Sequence, residues 1–122
     1  MRILCAGLLL LALTGLLSTT NAAPPAAHSP DQLEFFEKQV RPLLVQHCHR
    51  CHSSKQQKGN LRLDSRAAVL AGGDSGPSID LASPMESELL LAISYDPDGY
   101  QMPPDGKLAD AEIAVLKQWI EM

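Results

Sequence analysis

Cys48-His49-Arg50-Cys51-His52 sets two thiols three positions apart and puts an imidazole directly after the second. This is the C-x-x-C-H spacing of covalent haem attachment. Thiols at this separation reach the two vinyl groups on one edge of a haem and form thioethers. His52 is then held beneath the iron as an axial ligand. The third cysteine, Cys5, lies in the amino-terminal apolar run, so a processed chain keeps only the two thiols of the motif. Three other chemistries use such a pair. A thioredoxin-like redox pair expects a strand–helix context, which the flanking sequence lacks. A zinc site needs four ligands. Here only Cys48, Cys51, His47, His49 and His52 cluster, and near neighbours in sequence rarely point at one ion. A structural disulfide between Cys48 and Cys51 suits an oxidising compartment.

Upstream, Ser29-Pro30-Asp31-Gln32 reads as a helix start. Ser29 can cap, Pro30 fits the first turn and Gln32 can reach back to the cap. Leu33, Phe36, Val40 and Leu43 recur at helical spacing. Pro42 lacks an N–H, so the helix is expected to kink or restart there before continuing toward His47. The motif therefore follows a rigid platform.

Downstream, Ser54 to Asn60 is a polar loop and Leu61-Arg62-Leu63 a short extended piece. Asp64 or Ser65 caps a short helix over Arg66 to Ala71, ended by Gly72-Gly73. Ser83-Pro84-Met85-Glu86 repeats the capping-box pattern and predicts a helix running to about Ile93. Tyr95 to Lys107 holds three prolines and two glycines, which predicts an ordered loop without regular structure. Asp110 starts a last helix, with Ile113, Leu116 and Ile120 on one face and Trp119 beside it. No repeat is evident. The fold class expected is all-α, with three to four helices and long loops wrapped around one covalently bound haem. Loops this long in so short a domain need something to fold around.

Met102 is the candidate for the sixth position on the iron. It stands in Tyr100-Gln101-Met102-Pro103-Pro104, where two prolines stiffen the chain and can hold a thioether in place. Met/His is a ligand pair that haem proteins use for electron transfer. Met85 belongs to a helix start and is expected to pack. His47 and His49 are tied to the proximal side by the cysteines and are expected to be solvated or near the propionates. His28 lies on the lead-in and is a remote rival. Gly76-Pro77 offers a backbone carbonyl to the second nitrogen of His52, or else a plain turn. Arg62 and Arg66 offer partners to propionates, or else solvent-exposed cations.

The amino terminus reads as an address. Met1-Arg2 is positive, Ile3 to Leu17 is uncharged and leucine-rich, and Ser18 to Ala22 is polar and small. This is the pattern of a secretory signal peptide over 1–22, cut after Ala22 or Ala23. Fifteen helical residues reach only about 22 Å, short of the roughly 30 Å hydrocarbon layer, which disfavours an uncleaved anchor. A membrane role is expected only if the leader stays. Residues 23–29 form a flexible lead-in and 30–122 the domain. Export to a periplasm or cell surface follows.

The bulk numbers agree. A chain of 122 residues makes one domain, and an aromatic content of 4% is low for a core built unaided. A macrocycle would supply the missing apolar bulk. The net charge of −4, with no basic stripe, excludes nucleic acid as an expected partner.

From Leu33 to Met122 the chain resembles the planctomycete-type cytochrome c domain. The likeness rests on Phe35 to Leu44 before the Cys48–His52 motif, on Gly59 to Arg66, on Gly72-Gly73 and Gly76-Pro77, and on Met102-Pro103-Pro104, Leu108 and Trp119-Ile120. The resemblance implies an all-helical cytochrome c fold with one haem c, ligated by His52 and Met102. Ala109 replaces the usual hydroxyl-bearing residue before the last helix, a small loss of capping. Such domains open larger exported proteins, so the stop at Met122 reads as the cut end of a longer chain. Partners are then a redox protein or domains downstream.

The function expected is one-electron transfer, by an electron carrier or by the electron-transfer domain of a larger redox protein. A haem peroxidase or gas sensor would need a labile sixth position and polar distal groups, and no distal His or Arg is evident near Met102. A zinc or thiol-redox module is the third reading.

Overall fold

A computed structural model describes residues 28–122. The signal-peptide reading over 1–22, Cys5 and most of the lead-in lie outside the described residues. The described chain is helical, with no strand among its residues and only two isolated bridges, His52 to Gln57 and Gly73 to Gly76. It has five α-helical segments: α1 (Pro30–Phe35), α2 (Arg41–His47), α3 (Arg66–Ala71), α4 (Glu88–Ser94) and α5 (Asp110–Glu121).

The first helix starts as its sequence dictates. Ser29 Oγ accepts from Gln32 N–H at 3.2 Å, and Gln32 Oε1 accepts from Ser29 N–H at 2.9 Å. Pro42 does not break the chain's course. A π-helical turn, Phe36–Val40, joins α1 to α2, and Arg41 N–H reaches back to Phe36 O. The expected kink or restart is thus resolved inside one run, and the three or four helices expected become five segments. Proline cannot donate to residue 38 and its ring crowds that carbonyl, and the wider π turn relieves both. The extra residue also rotates the inward face by about 100°. Val40 and Leu44 are therefore buried, Leu43 is half-buried, and Leu33 is left 51% exposed.

The core joins these two helical residues to Leu63, Val69, Leu89, Ile93, Leu108, Leu116 and Ile120. Phe36 lies against Trp119 with ring centroids 5.6 Å apart, tying the first helix to the last. Ile113 packs on the core edge as its spacing predicts. Glu112 Oε2 accepts from Ala109 N–H at 2.9 Å, so the last helix keeps half a capping box although Ala109 has no side-chain acceptor.

Ser65 caps α3 as expected, and Gly72 ends it. Gly72 has φ +73, and a Cβ there would stand 1.9 Å from Gly76 O. Only glycine lets the two sides of this turn close. The helix expected from Ser83 differs. Pro84–Glu86 form a 3-10 turn, Ser83 makes no side-chain cap hydrogen bond, and α4 begins only at Glu88. The cause is Ser87, fully buried and extended (φ −58, ψ 133). Its hydroxyl donates to Pro84 O at 2.6 Å and accepts from Asp80 N–H at 3.0 Å, which holds the chain out of helical geometry.

Leu116→Ala is expected to cost about 2–5 kcal/mol, since it empties a fully enclosed site. Leu33→Ala is expected to stay within about 0.5 kcal/mol. Urea unfolding of the two variants checks both.

Candidate haem-binding site

The Cys48–His52 segment sits where α2 ends. Cys48 closes the helix by donating its N–H to Leu44 O. Cys51 N–H and His52 N–H then both return to Cys48 O, at 3.1 and 2.9 Å, and wind the motif into a tight turn. Two further bonds fasten it. Lys58 N–H donates to Cys51 O at 3.0 Å and Leu63 N–H to His52 O at 2.9 Å. Arg62 and Ser54 N–H both bind the Asp64 carboxylate and lock the intervening loop.

On the far side, Met102 is carried by the long loop after α4. Its N–H donates to Ala92 O at 3.0 Å. Tyr95 ends α4 in the left-handed region (φ +66, ψ 34), a conformation costing a non-glycine residue about 1–2 kcal/mol. From there its hydroxyl donates to Pro103 O at 2.7 Å. Arg50 pairs with Asp105 at the surface and links the motif turn to this loop.

Between them lies a cavity of about 370 Å³. Cys48, Cys51, His52 and Met102, the four residues singled out from the sequence, all line it. Leu61, Leu63, Leu89 and Ile93 make its wall apolar. The size falls in the range of about 300–1,000 Å³ usual for small-molecule and cofactor sites. Nδ1 of His52 is buried with no hydrogen-bond partner, the one such side-chain atom among the described residues. An unpaired imidazole nitrogen is costly unless something binds that ring. The donor set of two thiols, an imidazole and a thioether in an apolar hollow fits a haem.

The structure corrects several expectations. His47 and His49 are half-buried rather than solvated; His47 lines this cavity, as the alternative placement near the propionates expects, and His49 does not. His47 Nε2 stands 3.2 Å from Glu112 Oε1, and His49 Nε2 stands 3.0 Å from Leu63 O, both half-buried. They brace the motif against α5 and the chain at Leu63. His28 and Arg66 line a second cavity, not this one, and Arg66 is solvent-exposed, the alternative its sequence reading gave. Arg62 is occupied by Asp64. The Gly76 carbonyl accepts from Gly73 N–H at 3.0 Å and is not paired with His52. Met85 is 40% exposed rather than packed. Sequence reading missed Tyr95 and the buried Ser78, whose hydroxyl bonds Val69 O and whose carbonyl accepts from Leu89 N–H. Neither belongs to a periodic pattern, so nothing in the sequence marked them.

The rival chemistries fare poorly in this geometry. Burial, and to a lesser degree the neighbouring Cys51, pushes the Cys48 thiol up to about 11. A redox thiol needs the opposite shift, and Cys48 sits at a helix C-terminus, where the dipole disfavours thiolate. Cys48 and Cys51 are not joined as a disulfide. Among the described residues no three His, Cys, Asp or Glu side chains are grouped to hold a metal ion.

Residues 48–106 match the protein family Planctomycete cytochrome C. This segment is a planctomycete-type cytochrome c domain. The match begins at the first thiol of the motif and ends within the Met102 loop, so it takes in Cys48, Cys51, His52 and Met102. The described residues form helices and loops with no strand, and a cytochrome c family domain points to haem-based electron transfer. Cys48 and Cys51 have the spacing of its haem-binding motif. No curated protein and no solved structure matches the chain.

The Glu112 carboxyl is held below its usual range, first by the Ala109 N–H and then by His47. A depressed carboxylate lends stability that is present above about pH 4.5 and lost as pH falls through its folded value. Glu112→Gln is therefore expected to flatten the acid side of the stability–pH curve, measured by urea unfolding from pH 6 down to about pH 3.

Proposed function

We propose that this protein is an exported mono-haem cytochrome c acting in one-electron transfer. Cys48 and Cys51 would hold the haem through thioethers, and His52 and Met102 would ligate its iron. One observation carries this reading: both thiols, the imidazole and the thioether face one apolar cavity, though Met102 lies fifty residues beyond His52.

Haem, when bound, supplies a one-electron couple between ferric and ferrous iron, which Met/His ligation shifts to higher potential. The chain's own residues do the rest. Cys48 and Cys51 keep the group from being lost by dilution outside the cell. His52 offers a ring nitrogen on a turn that backbone hydrogen bonds to Leu44, Lys58 and Leu63 immobilise. Met102 offers sulfur from a loop that its own N–H and two prolines stiffen. Leu61, Leu63, Leu89 and Ile93 exclude water, which limits reorganisation around the iron. No residue needs to move a proton. The leader pattern at 1–22 supports export to a periplasm or surface, where covalent attachment is of use. A redox protein, or further domains of the same protein, then receives or supplies the electron.

The test is a pyridine haemochrome spectrum of the denatured protein, matured in a host with c-type cytochrome assembly. A c-type band that survives acid–acetone extraction is expected, and Cys48→Ala with Cys51→Ala should abolish it. Colourless, iron-free protein from a host that matures a control cytochrome overturns the proposal. The native ferrous protein is expected not to bind carbon monoxide. Strong binding would favour the sensor or peroxidase reading instead.

A further inference from the structure

The loop that carries Met102 has an uncommon problem. Pro103 and Pro104 follow directly, and neither has an N–H to donate. Pro103 and Pro104 themselves can be held only through their carbonyls, with the Arg50–Asp105 surface pair as the next side-chain tie beyond them. Within residues 102–104, Met102 N–H ties the loop to Ala92 O at 3.0 Å. Pro103 O takes a 3.3 Å turn bond from Gly106 N–H, which lies within the loop and fixes nothing to the rest of the fold. One side chain among the described residues hydrogen-bonds this segment: the Tyr95 hydroxyl, 2.7 Å from Pro103 O.

Tyr95 is built for that contact. It closes α4 with φ +66, a backbone state a side-chain-bearing residue seldom adopts, and its ring is half-buried. Gln101 Nε2 reaches Tyr95 O and Asp96 O at 3.4 Å each, so the loop also folds back over the residue that holds it. Helix α4 thus grips the loop twice, through Ala92 before the prolines and through Tyr95 after Met102. Both grips lie on the helix whose Leu89 and Ile93 wall the cavity.

We propose that Tyr95 is the positioning residue for the sixth ligand: its hydroxyl, through Pro103 O, keeps the Met102 sulfur seated against the haem iron. This rests on the axial-ligand reading above. Tyr95 does not line the cavity itself, so it acts through the loop. It acts by removing conformations in which the loop swings away and leaves the sixth position to a competing ligand. A loss of this restraint shifts the population toward the open form, and any ligand that binds only that form gains apparent affinity in proportion.

The experiment compares the matured holoprotein with Tyr95→Phe, Met102→Ala and Ser94→Ala. Ser94 donates to Leu91 O within α4 and is exposed, so its variant removes a hydroxyl of the same helix without touching the loop. The readouts are the weak far-red band of thioether sulfur on ferric iron, and the affinity of the ferric protein for added imidazole. The wild type should show the band and Met102→Ala should not. Tyr95→Phe should keep covalent haem, lose part of the band and bind imidazole roughly 3–10-fold more tightly, as the net worth of one hydrogen bond dictates. Ser94→Ala should match the wild type in both. Replacing Tyr95 by 4-aminophenylalanine, which restores a donor, should recover wild-type affinity; it serves also if Tyr95→Phe fails to mature.

Imidazole affinity unchanged in Tyr95→Phe, with the band intact in the wild type, overturns the role of Tyr95 and leaves Met102 as ligand. Absence of the band from the wild type removes the Met102 reading and this inference with it. An equal gain in affinity in Ser94→Ala makes the effect one of general stability and also overturns the proposal.

Discussion

Two stretches of chain fifty residues apart must face each other across one apolar cavity, and the organisation of this domain follows from that constraint. The helices are short, none longer than the twelve residues of α5. Segments of this length are marginal in water and depend on packing for their order. The core does that on one side, where α5 closes against the first helix through Trp119 and Phe36. On the other side there is a hollow instead of side chains. Its walls are α4 and loops whose hydrogen bonds run to fixed points: Cys51 O, His52 O, Ala92 O and Pro103 O. A covalently held macrocycle is the kind of group such walls would need to complete their burial.

The electrostatics serve the frame more than the site. Surface pairs such as Arg41 with Glu37 and Arg50 with Asp105 contribute little singly, about 0–1 kcal/mol. Arg50 with Asp105 still matters for topology, since it links the Cys48–His52 turn to the Met102 loop. The half-buried contacts of His47 with Glu112 and of His49 with Leu63 O work closer in. They give each histidine flanking the first cysteine a structural partner, which leaves His52 as the histidine of the motif with an unpaired, buried ring nitrogen.

The second cavity, of about 350 Å³, lies beside the first helix and Trp119. Leu33, Leu81 and Met122 line it and are largely exposed. Its position explains why Leu33 fits the helical period yet stays at the surface: it borders a groove rather than the core.

Much of this protein was determined by local sequence. The Cys48–His52 spacing, the Ser29 capping box, the Ser65 cap with its Gly72 stop and the inward face of α5 are set by neighbours within a turn or two, where geometry is short-range and few alternatives compete. Met102 was legible as a candidate because a proline pair marked its loop, but its place on the cavity wall is a tertiary fact. Only the folded chain decided that Pro42 is absorbed by a π turn that brings Leu44 inward, that Ser87 delays α4, and that His47 and His49 are braces. It alone showed that Tyr95 holds the Met102 loop. Each of these depends on what lies opposite in space: a carbonyl to avoid, a donor to satisfy, or a loop with no N–H of its own. No period or spacing in the chain encodes that information, because the partners are brought together only when the core and the cavity form.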